Sequence, residues 1–258
     1  LNRVKFVFSD KVIEQNGRVY LSKMDQIKLI DPVLRPQLGT SHGPFQTVIL
    51  DPGHGGSDPG ALNSLGTEAR YNLILAREVK RQLEAAGYKV ILTRQTDQYL
   101  SLEERVRRAN ALRANAVFVS LHFNSGRSHA RGIETFTLSP PGVSHYGRDL
   151  LQSDQIQRTG NRQDSANIAL ATAVHGSVLG ALGTHTLDRG IKRARFTVLS
   201  GVRHPAILFE GGFMSHPSEA RLIHREDHRK RLAAGIVQGV RRYQNAIKSR
   251  GKAGQRLP

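Results

Sequence analysis

Apolar and polar positions change period repeatedly along this chain, and from residue 47 onward the changes follow one rule. Short apolar runs of strand length alternate with longer stripes spaced three and four residues apart. Strands are predicted from Thr47, at Lys89 to Thr93, at Ala116 to Leu121, at Gly132 to Leu138, at Phe196 to Leu199 and at Ala206 to Phe209. Between them, Glu68 to Ala86 carries a helical stripe of Leu75, Val79, Leu83 and Ala86, and Gly87 ends it. Ser101 with Glu104 reads as a capping box for a helix burying Leu102, Val106, Ala109 and Leu112. Further helices are predicted at Ala166 to Leu182, Ser218 to Ile223 and Asp227 to Ile247. This alternation predicts an α/β fold: a mixed, mostly parallel sheet with helices on both faces.

The flanks read differently. Residues 1–38 form a small β-rich N-terminal segment, the end of a larger module or an add-on to the main domain. Its predicted strands are Val4 to Phe8, Arg18 to Leu21 and Ile27 to Ile30, with an Asn16-Gly17 hairpin turn. Residues 39–46 read as a linker, 47–247 as the main domain and 248–258 as a basic, disordered tail. Residues 139–165 lose periodicity and read as a long loop or insertion with one helical turn near Asp149 to Gln155.

Composition narrows the chemistry without choosing it. The chain has no cysteine, so thiolate metal sites and disulfides are excluded and any metal must rest on histidine and carboxylate. Its 38 lysines and arginines against 21 acidic residues give +17, which favours polyanionic partners: nucleic acid, anionic lipid or an acidic cell-wall polymer. The basic residues are scattered and aromatics make up only 6%, so stacking platforms are sparse and nucleic acid is not the expected partner. No apolar run approaches the roughly 20 residues of a transmembrane helix. No leader is visible at Leu1, so any export signal is expected to be removed or to lie outside this sequence.

The strand ends hold the candidate chemistry. Val48-Ile49-Leu50 runs into Asp51-Pro52-Gly53-His54-Gly55-Gly56, a glycine-rich turn whose distinctive residue is an imidazole. Such turns also cradle phosphates, but no Gly-Lys-Ser/Thr follows, which favours a metal ligand. His122 and Glu210 also end apolar strands, along the edge where α/β sheets build sites, and Glu68 opens the first helix just beyond the His54 loop. Two histidines and a carboxylate with an open fourth position suit a catalytic zinc, and a further carboxylate suits a general base. Each residue has a plainer reading: a hydrogen-bonding histidine, an ion-paired Glu210, or a Glu68 favoured by the helix dipole. The remaining histidines read as surface groups.

Longer motifs carry a family resemblance. Asp51-Pro52-Gly53-His54-Gly55-Gly56-Ser57-Asp58-Pro59-Gly60-Ala61 is followed in order by Glu68 with Asn72, Leu92-Thr93-Arg94, Ser101-Leu102 with Arg105, and Ser120-Leu121-His122-Phe123-Asn124. Gly132-Ile133-Glu134-Thr135, Asp188-Arg189-Gly190-Ile191-Lys192 and Pro205 through Ser215 complete the set. Together they resemble the zinc-dependent N-acetylmuramoyl-L-alanine amidases of the AmiC type over about residues 47–246. The resemblance implies zinc on His54, Glu68 and His122, Glu210 as the catalytic glutamate, and peptidoglycan as substrate, cut between the lactyl group of N-acetylmuramic acid and L-alanine. Asn72 and Asn124 are candidate substrate contacts, and because peptidoglycan stems carry several carboxylates, basic Arg189 and Lys192 join them; for these two, a solvated basic loop is the rival reading. The inferred substrate implies an extracytoplasmic location; a monomer is expected, with a protein activator as an open alternative. Two departures stand out. Ser215-His216 replaces the family's usual Ser-Asn, and residues 139–165 are too short for the autoinhibitory helix of some relatives, leaving room for a shorter mobile lid. The rival from another class is a basic wall- or nucleic-acid-binding module with a vestigial metal site.

Overall fold

The computed structural model describes residues 3–36, 43–184 and 186–253. A hairpin of β1 (Ile13–Gln15) and β2 (Arg18–Tyr20) leads into α1 (Lys23–Asp25), a π-helical turn (Gln26–Ile30) and α2 (Asp31–Leu34). The sheet strands that follow are β3 (Thr47–Pro52), β6 (Lys89–Leu92), β7 (Ala116–Asn124), β8 (Ile133–Leu138), β9 (Asp188–Ala194) and β10 (Ala206–Phe213); β4 (Leu62–Asn63) and β5 (Gly66–Thr67) form a small ribbon. The helices between and after them are α3 (Glu68–Ala85), α4 (Leu102–Ala111), α5 (Asp164–Leu182), α6 (Thr197–Gly201), α7 (Pro217–His224) and α8 (Glu226–Ala253).

The six strands lie in the order β6-β3-β7-β10-β8-β9, with every neighbouring pair parallel except β10 with β8. This is the mixed, mostly parallel α/β sheet that the alternating pattern predicts. β3 and β10 are buried along their whole length because helices cover both faces. The larger core packs α3, α5 and α8 on one face; the smaller joins Phe118, Phe136 and Leu208 to α4 and α6 on the other. Residue α5 to α8 contact is close because α8 presents glycines: a Cβ at Gly239 would lie 2.3 Å from Val174 Cα. α5 is long and apolar enough to cross a membrane, yet it is a core helix here, with Ile168, Leu170, Val174 and Val178 fully buried.

Several expectations need correction. Residues 27–30 are helical, not a strand, as the continuous run from Lys23 shows. Residues 196–199 also turn into a helix, α6, while the edge strand is the charged segment Asp188–Ala194, which has no apolar alternation to announce it. Val4 to Phe8 makes only a bridge from Phe6 to Ile191, bracing the outer edge of β9. Ser101 Oγ does accept from Glu104 N (3.1 Å), but the Glu104 side chain turns to Arg107 and Arg108 and does not close a capping box. Part of the predicted linker (39–42) and the end of the predicted tail (254–258) lie outside the described residues, and α8 runs on to Ala253.

Three histidines expected at the surface are buried: His175, His204 and His228. Burial, with Arg231 nearby, pushes His228 down to about 4. The fold therefore holds this imidazole neutral, and below pH 6.5 the unfolded chain takes up the proton first. Stability should fall as pH drops from 6.5 to about 4, by roughly 3 kcal/mol, and level off below. Urea melts of wild type and His228→Gln across that window check this; the variant should lose most of the slope.

Candidate metal centre

β3 delivers the first ligand through backbone geometry. His54 sits at φ 59°, a left-handed conformation costly for a side chain this size, with Gly53 before it and Gly55 and Gly56, both at positive φ, after it. Two arginines hold the turn from behind. Arg94, fully buried, donates to the carbonyls of Pro52 (2.9 Å), Gly53 (2.8 Å) and Ala69 (2.8 Å). Arg105 donates to Pro52 O and His54 O (both 2.8 Å) and pairs with buried Asp51 at 2.9 Å. Asp51 also accepts from Thr93 Oγ1 (2.5 Å) and Ser120 Oγ (2.8 Å), tying β3 to its neighbours. Every nitrogen of both guanidiniums makes at least one hydrogen bond, so together they fix the loop that a lone strained histidine could not hold.

The remaining groups converge on that turn. Thr67 Oγ1 caps α3 by accepting from Arg70 N, which puts Glu68 in the first turn. Its carboxylate is not spread towards solvent in the helix dipole; it is 5% exposed and faces the imidazoles. Glu68 Oε1 lies 3.2 Å from His54 Nε2 and 3.0 Å from His122 Nδ1, while Ala61 N donates to Oε2 at 3.0 Å. The two rings meet edge to face at 5.0 Å, and one ligand atom from each of the three residues lies within 4.8 Å of the others. Burial would raise Glu68, but hydrogen bonds from His122 and His54 outweigh it and hold the carboxyl far below its ordinary range. His54 is raised despite burial, by Glu68 and by Asp58, whose Oδ2 lies 2.8 Å from Nδ1. That contact leaves Nε2 directed at the cluster, as a carboxylate behind a metal-ligating histidine does.

The donor set fits a divalent metal of the zinc type: two imidazoles and an ionised carboxylate on one point, with no fourth protein ligand among the described residues. The walls fit as well. A Cβ on Gly53 would lie 2.1 Å from the His122 ring, and one on Gly60 would lie 2.7 Å from both Glu68 Oε2 and His54 Cδ2. Gly53→Ala should therefore displace His122 and weaken divalent-metal binding by at least about tenfold, while leaving the strand intact; competition against a metal chelator measures it.

Glu210 stands in register with His122 on β7 and Glu134 on β8. It lines the same cavity as His54, Glu68 and His122, and its Oε2 is buried with no hydrogen-bond partner. Burial pushes its carboxyl well above the usual range, and the charges of Glu68 and Glu134 push the same way. The candidate substrate contacts divide. Asn72 is fully buried and donates to Glu68 Oε1 (3.3 Å) and Gly53 O (3.2 Å), behind the ligand. Asn124, Arg189 and Lys192 line a neighbouring cavity, all three hydrogen-bonded to Glu134. Sequence reasoning gave no role to Arg94, Arg105, Asp58 or Glu134; only their places within longer motifs marked them.

Residues 139–165 do not enter the centre. They contain two 3₁₀ turns, Gln152–Gln155 and Thr159–Gln163. Asp154 is paired with Arg148 and Arg195, Asp164 with Lys28, and no carboxylate from this stretch lines the metal cavity among the described residues. His216, the departure beside Glu210, caps α7 through Nδ1, which accepts from Glu219 N.

Comparison with known proteins places the chain in a family. Residues 48–242 match the family model described as N-acetylmuramoyl-L-alanine amidase. Over 232 residues the chain is 36% identical to the N-acetylmuramoyl-L-alanine amidase AmiC of Neisseria meningitidis serogroup B, covering 81% of this chain but 56% of that relative, about half its length. The catalytic domain of the amidase CwlV from Bacillus (Paenibacillus) polymyxa var. colistinus superimposes with a TM-score of 0.64 at 32% identity, covering 78% of this chain and 99% of that one. An N-acetylmuramoyl-L-alanine amidase from Clostridium difficile 630 gives 0.63 at 32% identity, over 79% and 98%. A match of this extent, spanning every strand of the sheet and all four residues of the centre, establishes that the chain belongs to the N-acetylmuramoyl-L-alanine amidase family.

Proposed function

We propose that this chain hydrolyses the amide bond between N-acetylmuramic acid and L-alanine in peptidoglycan, outside the cytoplasm, with zinc held by His54, Glu68 and His122. The observation that carries this reading is the unpartnered Oε2 of buried Glu210 beside a three-ligand cluster. Zinc held there supplies Lewis acidity towards a water and a carbonyl oxygen. Glu210 is the general base: its raised affinity for protons lets Oε2 take one from the attacking water and pass it to the leaving nitrogen of L-alanine. Asp58 and Asn72 hold His54 and Glu68 in orientation, and Arg94 and Arg105 keep the loop rigid. Tyr99, Leu100, Leu102 and Val198 form an apolar wall that sheds water from the reacting amide. Catalysis belongs to residues 47–247, and Lys5 to Val7 of the N-terminal segment brace the β9 edge.

No carboxylate from residues 139–165 lines the cavity among the described residues, so the cluster is open to substrate without displacing this stretch. Release of soluble material from labelled sacculi tests this. Release is expected with zinc, should stop on chelation and should return when zinc is restored. Release unaffected by chelation would rule out the metal role.

A further inference from the structure

Beside the metal cluster lies a second cavity of about 600 Å³, which shares Asn124, Ser125 and Phe196 with the first. Its charge is lopsided: Arg127, Arg131, Arg189 and Lys192 line it against a single carboxylate, Glu134. Glu134 is buried and already saturated. It accepts from Asn124 Nδ2 (2.6 Å), Arg189 Nε (2.9 Å) and Lys192 Nζ, which also stands 4.2 Å over the Tyr146 ring. Arg189 differs from Lys192 in what it leaves over. It meets Glu134 through Nε alone, and its two terminal nitrogens make no hydrogen bond to protein among the described residues. Its guanidinium lies 4.8 Å over the Phe213 ring, so the plane of that open fork is set in advance. Arg127 and Arg131, on the exposed loop above, make no ion pair among the described residues.

A preset guanidinium fork facing a cavity suits a planar anion with two acceptor oxygens. We propose that this cavity is a carboxylate subsite. The terminal nitrogens of Arg189 bind a free carboxylate of the stem peptide, with Arg127 and Arg131 at the rim, and stems whose carboxylates are amidated are disfavoured. The proposal rests on the amidase reading above and adds the chemical feature of the stem that is recognised. Discrimination follows from the donor inventory: the guanidiniums of Arg189, Arg127 and Arg131 only donate, and in place of a carboxylate's two charged acceptor oxygens an amide offers them one acceptor oxygen and no charge. The leaving peptide would then run towards β8 and β9, and the sugar towards Tyr99 and Leu100.

The test compares kcat/KM of the zinc-loaded protein on two soluble muramyl peptides that differ only in free or amidated stem carboxylates. The free form should be cleaved with about tenfold higher kcat/KM, mostly through KM. Arg189→Gln should bring that ratio to about one. Arg127→Gln with Arg131→Gln, confined to an exposed loop, should narrow it roughly threefold. A control pair on α8, Arg231→Gln with Arg241→Gln, should leave it unchanged. Equal efficiency on both peptides in the wild type overturns the subsite while the amidase reading stands, and so does a ratio that neither cavity variant alters. A fall in the control pair equal to that in Arg127→Gln/Arg131→Gln would assign the preference to the net charge of the whole molecule. Cleavage of neither peptide would overturn the amidase reading itself.

Discussion

Glu210→Gln is expected to lower kcat by about 10³-fold while zinc content stays at the wild-type level. The substitution keeps the shape of a buried side chain and removes the one group able to carry a proton at Oε2. No ligand atom is lost, because Glu68 is held by Ala61 N, Asn72 and the two imidazoles and makes no hydrogen bond to Glu210. The thermal midpoint should stay level or rise, since a neutral amide relieves the repulsion from Glu68 and Glu134 that burial magnifies. Steady-state kinetics on a muramyl peptide and metal analysis of the same preparation check both halves. A rate near that of wild type would move the general base elsewhere.

His54→Ala is the second large effect, and it should remove both zinc and activity. The site loses one of its three protein donors, and Asp58 cannot take its place, because its Oδ2 lies behind the ring at 2.8 Å from Nδ1. Zinc affinity should fall by more than about 10²-fold. Asp58→Asn should fall short of this, losing between about 10-fold and 10²-fold, because the amide still accepts from the ring but no longer strengthens its basicity. Chelator competition ranks the two. Equal losses would mean that Asp58 is itself a ligand.

Much of the centre was legible in the sequence because strand ends in an α/β sheet are placed by topology. Once β3, β7 and β10 were read as apolar runs, His54, His122 and Glu210 had to lie along one edge, and Glu68 followed from the start of the next helix. What was hidden depended on contacts distant in sequence. Arg105 reaches Asp51 and the His54 carbonyl across more than fifty residues, and no local pattern announces a guanidinium buried behind a loop. β9 was missed because Asp188–Ala194 reads as a charged loop; its inward faces are supplied by Lys192 on Glu134 and by Arg193 donating to Lys28 O. The helix at Thr197–Gly201 was read as a strand because four residues with Val and Leu fit either period. His175 looked like a surface residue of a helix, yet it is enclosed between Thr135 Oγ1 and Asp188 Oδ1, both at 2.9 Å.

The bond that is cut is the central claim, and mass spectrometry of the soluble products from zinc-loaded protein and purified peptidoglycan tests it most directly. The account predicts stem peptides with a free amino group on L-alanine and intact N-acetylmuramic acid in the glycan, absent from chelated samples and from Glu210→Gln. Release of peptides cut within the stem, or of sugars with new reducing ends, would contradict it.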